Sequence, residues 1–169
     1  MKLRVILLFA VVLFSVRQVS ASPVNRTVKT VSVASFQQIE INAQVLVLLE
    51  TGLKSGVRIE GDPIAVAQTS FTVRNGVLQV NNPRRYEKSK RPVVYIQTGL
   101  LKEIFINNES QVVSVKPLKG DRLNVHINAH CRVSLQSEGK LEFIPEEAYD
   151  FDYIYRNPAP RVYVEKEEN

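Results

Sequence analysis

With 169 residues, 44% hydrophobic and 23% charged, the chain is long enough for one packed domain and too ordinary in composition for a low-complexity protein. A single cysteine, Cys131, excludes an intrachain disulfide. The formal charge of +5 includes Lys2, Arg4 and Arg17, which leaves too little positive charge elsewhere for a nucleic-acid-binding face.

The opening "MKLRVILLFAVVLFSVRQVSA" has a basic start, an apolar run from Val5 to Phe14 and small residues at Val19-Ser20-Ala21. That layout predicts a secretory signal peptide over residues 1–21, and the run is too short to span a bilayer as a helix. Arg17 interrupts the apolar stretch and argues against an uncleaved anchor. Removing these 21 residues leaves 148 and lowers the formal charge from +5 to +2.

Period-2 alternation dominates the rest of the chain, and helical periodicity is nearly absent. Val31 with Val33, then Ile39 with Ile41, read as strands with one buried face. "VLVLLE" from Val45 is more continuously apolar, which predicts burial on both sides. In "TSFTVRNGVLQV", Asn75-Gly76 predicts a two-residue type I′ hairpin that pairs Val73 with Leu78 and Phe71 with Val80 on one face. Two prolines and a run of charge make "PRRYEKSKRP" an exposed loop, and "VVYIQTG" is again a strand.

One phrase recurs: "IEINAQV" from Ile39, "IFINNESQV" from Ile104 and "VHINAHCRV" from Val125. An offset of 21 residues lays Ile106 on Ile127, Asn107 on Asn128 and Val112 on Val133. A repeat of this length is the signature of a β-solenoid, whose rungs bury their apolar faces only by stacking. Leu123, Val125, Ile127, Ala129, Cys131, Val133 and Leu135 share the inward parity. In register, the repeated Asn would form a hydrogen-bonded ladder between rungs. The tail from Glu146 alternates aromatic and acidic residues (Tyr149, Phe151, Tyr153 and Tyr155 against Asp150 and Asp152). It reads as a strand capping the last rung or, alternatively, as a docking strand for a partner.

Several stretches resemble the auto-transporter adhesin head GIN domain family. They are "FQQIEINAQVLVLLETG", "VRIEGDP", "VRNGVLQV" and "VVYIQTGLLKEIFINNES", within a match from about Val31 to Leu141. The resemblance implies a right-handed parallel β-helix-like fold, an extracytoplasmic location and no established enzymatic activity. Two departures stand out: "NNES" and "NAHC" replace the family's Ser-Gly-Ala-Ser-like bends, and the chain turns to its aromatic tail where family members continue through more rungs.

Candidate chemistry is sparse. His126 and His130 are four apart, which on a strand means about 13 Å, too far to share one metal ion. Cys131 has inward parity and reads as a small hydrophobe. Glu146, Glu147, Asp150 and Asp152 cluster on one terminal strand, without companion acids to divide general acid and base roles. No cofactor motif or catalytic set is found. The sharpest candidate is the basic loop, where Arg84, Arg85, Lys88, Lys90 and Arg91 surround Tyr86 with only Glu87 opposing. Such a patch suits an anionic glycan or lipid headgroup, or is simply a solvated loop.

The expectation is therefore an all-β protein: a short right-handed parallel β-helix with a hairpin and a C-terminal capping strand. Its domain occupies residues 22–145, with residues 146–169 as the cap. The expected role is an exported, non-catalytic binding or structural module, periplasmic or at the cell surface and adhesin-like in character. The alternatives are an exported carbohydrate-active enzyme of β-helix type and an envelope subunit that self-associates through a sheet edge or the aromatic tail.

Overall fold

The computed structural model describes residues 26–145 and 151–155. The signal-like residues 1–21, the acids Glu146, Glu147 and Asp150, and the end of the tail lie outside them. Strands β1 (Thr27–Ser32), β2 (Gln38–Asn42), β3 (Leu46–Thr51) and β4 (Gly56–Gly61) precede a short helix, α1 (Pro63–Gln68). β5 (Ser70–Arg74) and β6 (Val77–Asn81) come next, then a 3₁₀ turn at Lys88–Lys90 and β7 (Val93–Thr98). The rest is strand: β8 (Glu103–Ile106), β9 (Ser110–Ser114), β10 (Arg122–Ile127), β11 (Cys131–Leu135), β12 (Lys140–Pro145) and β13 (Phe151–Tyr155).

These strands form two mixed sheets and no closed barrel, ordered β1-β4-β7-β3-β9-β11-β13 and β12-β10-β8-β2-β6-β5. Inward residues of both sheets make one hydrophobic cluster, in which Ile39, Ile41, Leu78, Ile104, Ile106 and Ile127 are fully buried. Each such side chain contributes roughly 1.5–3 kcal/mol relative to exposure.

The repeated phrases stack. Ile104 pairs with Val125 and Ile106 with Ile127 between parallel β8 and β10, and Val112 pairs with Val133 between parallel β9 and β11. The first phrase lies against the second, Ile39 beside Ile104 and Ile41 beside Ile106. Sequence order is not spatial order, however. β6 lies on the other side of β2 from β8, and β7 on the other side of β3 from β9. The chain reaches that position through β4, α1 and β5, which pair antiparallel or not at all and make both sheets mixed.

The phrase's asparagines form the expected column, with one unforeseen member. Asn128 Nδ2 donates to Asn107 Oδ1 (2.8 Å), Asn107 Nδ2 to Asn42 Oδ1 (2.9 Å) and Asn42 Nδ2 to Asn81 Oδ1 (3.0 Å). Asn81 joins because β6 pairs in register with β2.

The hairpin is as expected: Phe71 faces Val80, Val73 faces Leu78, and Asn75 and Gly76 have φ of 51° and 77°. β3 is not. Val47 and Leu49 are buried, but Leu46 and Leu48 lie half-buried on the outer face, where Leu48 has only Tyr95 and Val113 beside it in register. Neighbouring side chains cover these positions, rather than a second layer. Ala129 likewise leaves the inward set, because the bend after β10 interrupts the alternation. The helix α1 was not foreseen. Asp62 Oδ1 accepts from the N–H groups of Ile64 (2.9 Å) and Ala65 (3.2 Å), and Pro63 occupies the first turn.

Candidate functional site

The segment from Pro83 to Pro92 is a loop held at three points. At its start, the Asn82 Oδ1 accepts from the Arg84 N–H (2.9 Å) while its Nδ2 donates to Thr69 Oγ1 (2.8 Å). In the middle, the Tyr86 N–H donates to Gln44 Oε1 (2.9 Å) and the Tyr86 hydroxyl to Gln68 Oε1 (3.2 Å). At its end, Arg91 Nη2 donates to Glu109 Oε1 at 2.6 Å, and Gln44 Nε2 reaches Glu109 Oε2 at 3.2 Å. Residues from α1, the β2–β3 bend and the β8–β9 bend thus anchor one loop.

This divides the basic residues. Arg84, Arg85, Lys88 and Lys90 are exposed. The Arg91 side chain is 12% exposed and committed to Glu109, whose side chain is 35% exposed, so rupture of the pair would leave the largely buried guanidinium without its partner. The same pair holds the Glu109 carboxyl below the usual carboxylate range, the Arg91 hydrogen bond being the largest cause. Lys90 and Glu87 pair at 3.0 Å in full solvent, a contact of little energetic weight.

Beneath the Lys88–Lys90 turn lies a cleft of about 770 Å³. Its floor is the outer face of the seven-stranded sheet, along the register row Glu60, Val93, Leu46, Gln111 and Arg132. Five strands at about 4.8 Å spacing make that row about 19 Å long. Gly61, with φ +153°, closes one end where an added Cβ would lie 3.2 Å from Pro92 Cα.

Of the other sequence candidates, His130 and Cys131 line this cleft, and His126 does not. His126 sits on the outer face of β10, stacked on Phe105 with ring centroids 4.3 Å apart, whereas His130 is exposed in the bend before β11. No three potential metal-ligating side chains converge among the described residues. Cys131 is buried, and burial pushes its thiol up to about 11. Sequence reasoning missed Gln44, Asn82 and Glu109, the anchors of the loop. Asn82-Pro83 carries a turn signal, but nothing local marks Gln44 or Glu109 as partners.

The family model described as "Putative auto-transporter adhesin, head GIN domain" matches residues 35–143. The chain belongs to this family. Three bacterial proteins of similar fold, each described as a putative adhesin, extend the comparison. The one from Parabacteroides distasonis has a TM-score of 0.66 at 18% identity, over 77% of this chain and 56% of its own. The Parabacteroides merdae protein gives 0.60 at 19% identity, over 76% and 55%. That from Bacteroides fragilis gives 0.55 at 17% identity, over 70% and 61%. The likeness is one of fold, and the chain spans little more than half the length of these structures. No curated protein matches the sequence. Among the described residues, no helix is long and apolar enough to cross a membrane.

Proposed function

We propose that the protein is an exported, non-catalytic binding module of the cell envelope, adhesin-like in role, that holds an anionic glycan against its basic loop. Membership of the GIN-domain family supports the adhesin-like class. The observation that carries the loop assignment is its three-point anchoring through Asn82, Tyr86 and Arg91. A charged loop that serves only solubility needs no such framework, whereas a pre-ordered one loses less entropy on binding. Arg84 and Arg85 are the loop's exposed guanidinium groups, suited to carboxylate or sulfate.

In this reading the chain winds as a short right-handed parallel β-helix, residues 22–145 forming the domain and residues 146–169 its cap. The in-register stacking of Ile41, Ile106 and Ile127 supports the winding. Retention of the purified mature protein on immobilised heparin tests the glycan assignment. Retention is expected at moderate ionic strength and lost in the Arg84→Glu/Arg85→Glu variant. Equal retention of variant and native protein overturns it.

A second reading, self-association through a sheet edge, is favoured by the terminal strand β12. Its core-facing Leu141 and Phe143 are only partly buried, unlike the equivalent Leu123 and Val125. Light scattering that finds a concentration-dependent dimer would support it, and a monomer throughout would dismiss it.

A further inference from the structure

The cleft beneath the Lys88–Lys90 turn differs from the outward arginines in its lining and in its charge balance. Each of its acids is already engaged. Glu109 is paired with Arg91, and Glu60 accepts from Arg58 Nη1 (3.1 Å) and from the Tyr95 hydroxyl (2.7 Å). Asp62 caps α1. Two of its cations are not matched in the same way. Lys88 lines the cleft and makes no ion pair among the described residues, and Lys90 has only its solvent-exposed contact with Glu87. The ammonium groups of Lys88 and Lys90 are therefore open to solvent on the upper wall, although the Lys88 charge also acts on Glu109. The middle of its floor, by contrast, is aliphatic: Leu46 and Val93 lie between Glu60 on one side and Gln111 and Arg132 on the other. Pro63 and Ile64 also line the cleft, and Ile64 is 57% exposed although hydrophobic.

A cationic wall beside an aliphatic strip matches a molecule with the same division. We propose that this cleft is a binding site for an amphiphilic anion, its carboxylate or phosphate group held by Lys88 and Lys90 and its hydrocarbon portion lying on Leu46, Val93 and Ile64. The head group gains charge-assisted hydrogen bonds from the two ammonium groups. The tail gains by burial, at about 0.8 kcal/mol per methylene removed from water. Neither contribution alone explains the juxtaposition. A free anion would leave the aliphatic strip wet, and a neutral lipid would leave the lysines unused. The site is separate from the glycan contact at Arg84 and Arg85, so either can fail without the other.

The experiment is calorimetric titration of the full mature protein with laurate below its micellar concentration. Inorganic phosphate and octyl glucoside are titrated in parallel. Laurate is expected to saturate one site more tightly than either control. The Lys88→Glu/Lys90→Glu variant should weaken it about tenfold or more, and Ile64→Ser should weaken it severalfold. All these positions are exposed, so unchanged thermal melts are expected and verify folding. Phosphate binding as tightly as laurate, octyl glucoside binding as tightly, laurate binding unaffected by either variant, or no laurate binding at millimolar concentration each overturns the proposal.

Discussion

Asn107 and Asn128, 21 residues apart in the chain, are joined side chain to side chain at 2.8 Å. Asn107 also donates from Nδ2 to Asn42 Oδ1 (2.9 Å) and to Glu40 Oε1 (3.2 Å), so both of its amide hydrogens are used. Truncating it leaves Asn42 and Asn128 each short of a partner at a half-buried site. Asn107→Ala should therefore cost about 2 kcal/mol in urea unfolding. Asn81→Ala, at the column's end, should cost less.

The Arg91–Glu109 pair gives the fold an acid dependence. The Glu109 carboxyl is lowered in the folded state, so its contribution is fully present above the unfolded value of about 4.5 and is lost as pH falls through the lower folded value. Denaturation midpoints measured from pH 6 down to pH 3 should fall. The Glu109→Gln variant should be less stable at pH 6 and show a shallower decline in that window.

Two glycines should respond differently to alanine. A Cβ at Gly139 would overlap the carbonyl of Gly120 and the backbone of Asp121 in the turn stacked against it. Neither neighbour is a flexible side chain, so Gly139→Ala should cost about 2 kcal/mol or more. At Gly76 no atom lies within 4 Å of the added Cβ, and only φ of +77° opposes it. Gly76→Ala should cost about 1 kcal/mol. Thermal melts of the two variants separate crowding from backbone preference.

Cys131 should be inert while the protein is folded. It is 4% exposed, with its thiol pushed up to about 11, so accessible thiolate at neutral pH is scarce. Modification by a thiol-disulfide reagent at pH 7.5 should be slow and should become complete within seconds in guanidinium chloride. Rapid labelling without denaturant would mean that β11 opens locally.

Export is tested at the N-terminus. Mass spectrometry of the protein recovered from its native host should find a chain beginning near Ser22. An intact Met1 would show that residues 1–21 are retained.

Sequence patterns were most informative where a local pattern has one physical cause. Asn75-Gly76 set the hairpin register because two adjacent positive φ values admit few other residues. The repeated aliphatic pairs revealed which rungs stack, since parity and spacing survive translation into a sheet. What escaped was non-local. Nothing in "VLVLLE" distinguishes a strand buried on both faces from one whose outer leucines are covered by their neighbours. The third offset, from Leu123 to Leu141, went unread because it is 18 residues, not 21, and replaces Val125 with Phe143. The loop's cations were visible, but their division into exposed Arg84 and committed Arg91 depends on Glu109, whose partner is 18 residues away. Asp62-Pro63 did carry a helix-start signal, and six residues gave too little periodicity to reinforce it.

The asparagine column has a direction. Every amide in it donates the same way, from Asn128 toward Asn81, so the dipoles add and each bond polarises the next. Its two termini are chemically unequal: the Asn128 carbonyl oxygen is an acceptor without a partner among the described residues. A coil inserted by gene duplication between β10 and β12 must bring a donor at that position, whereas one inserted between β6 and β5 must bring an acceptor. Lengthening a protein of this kind is thus a polar operation, and a graft that joined the wrong ends would set like against like.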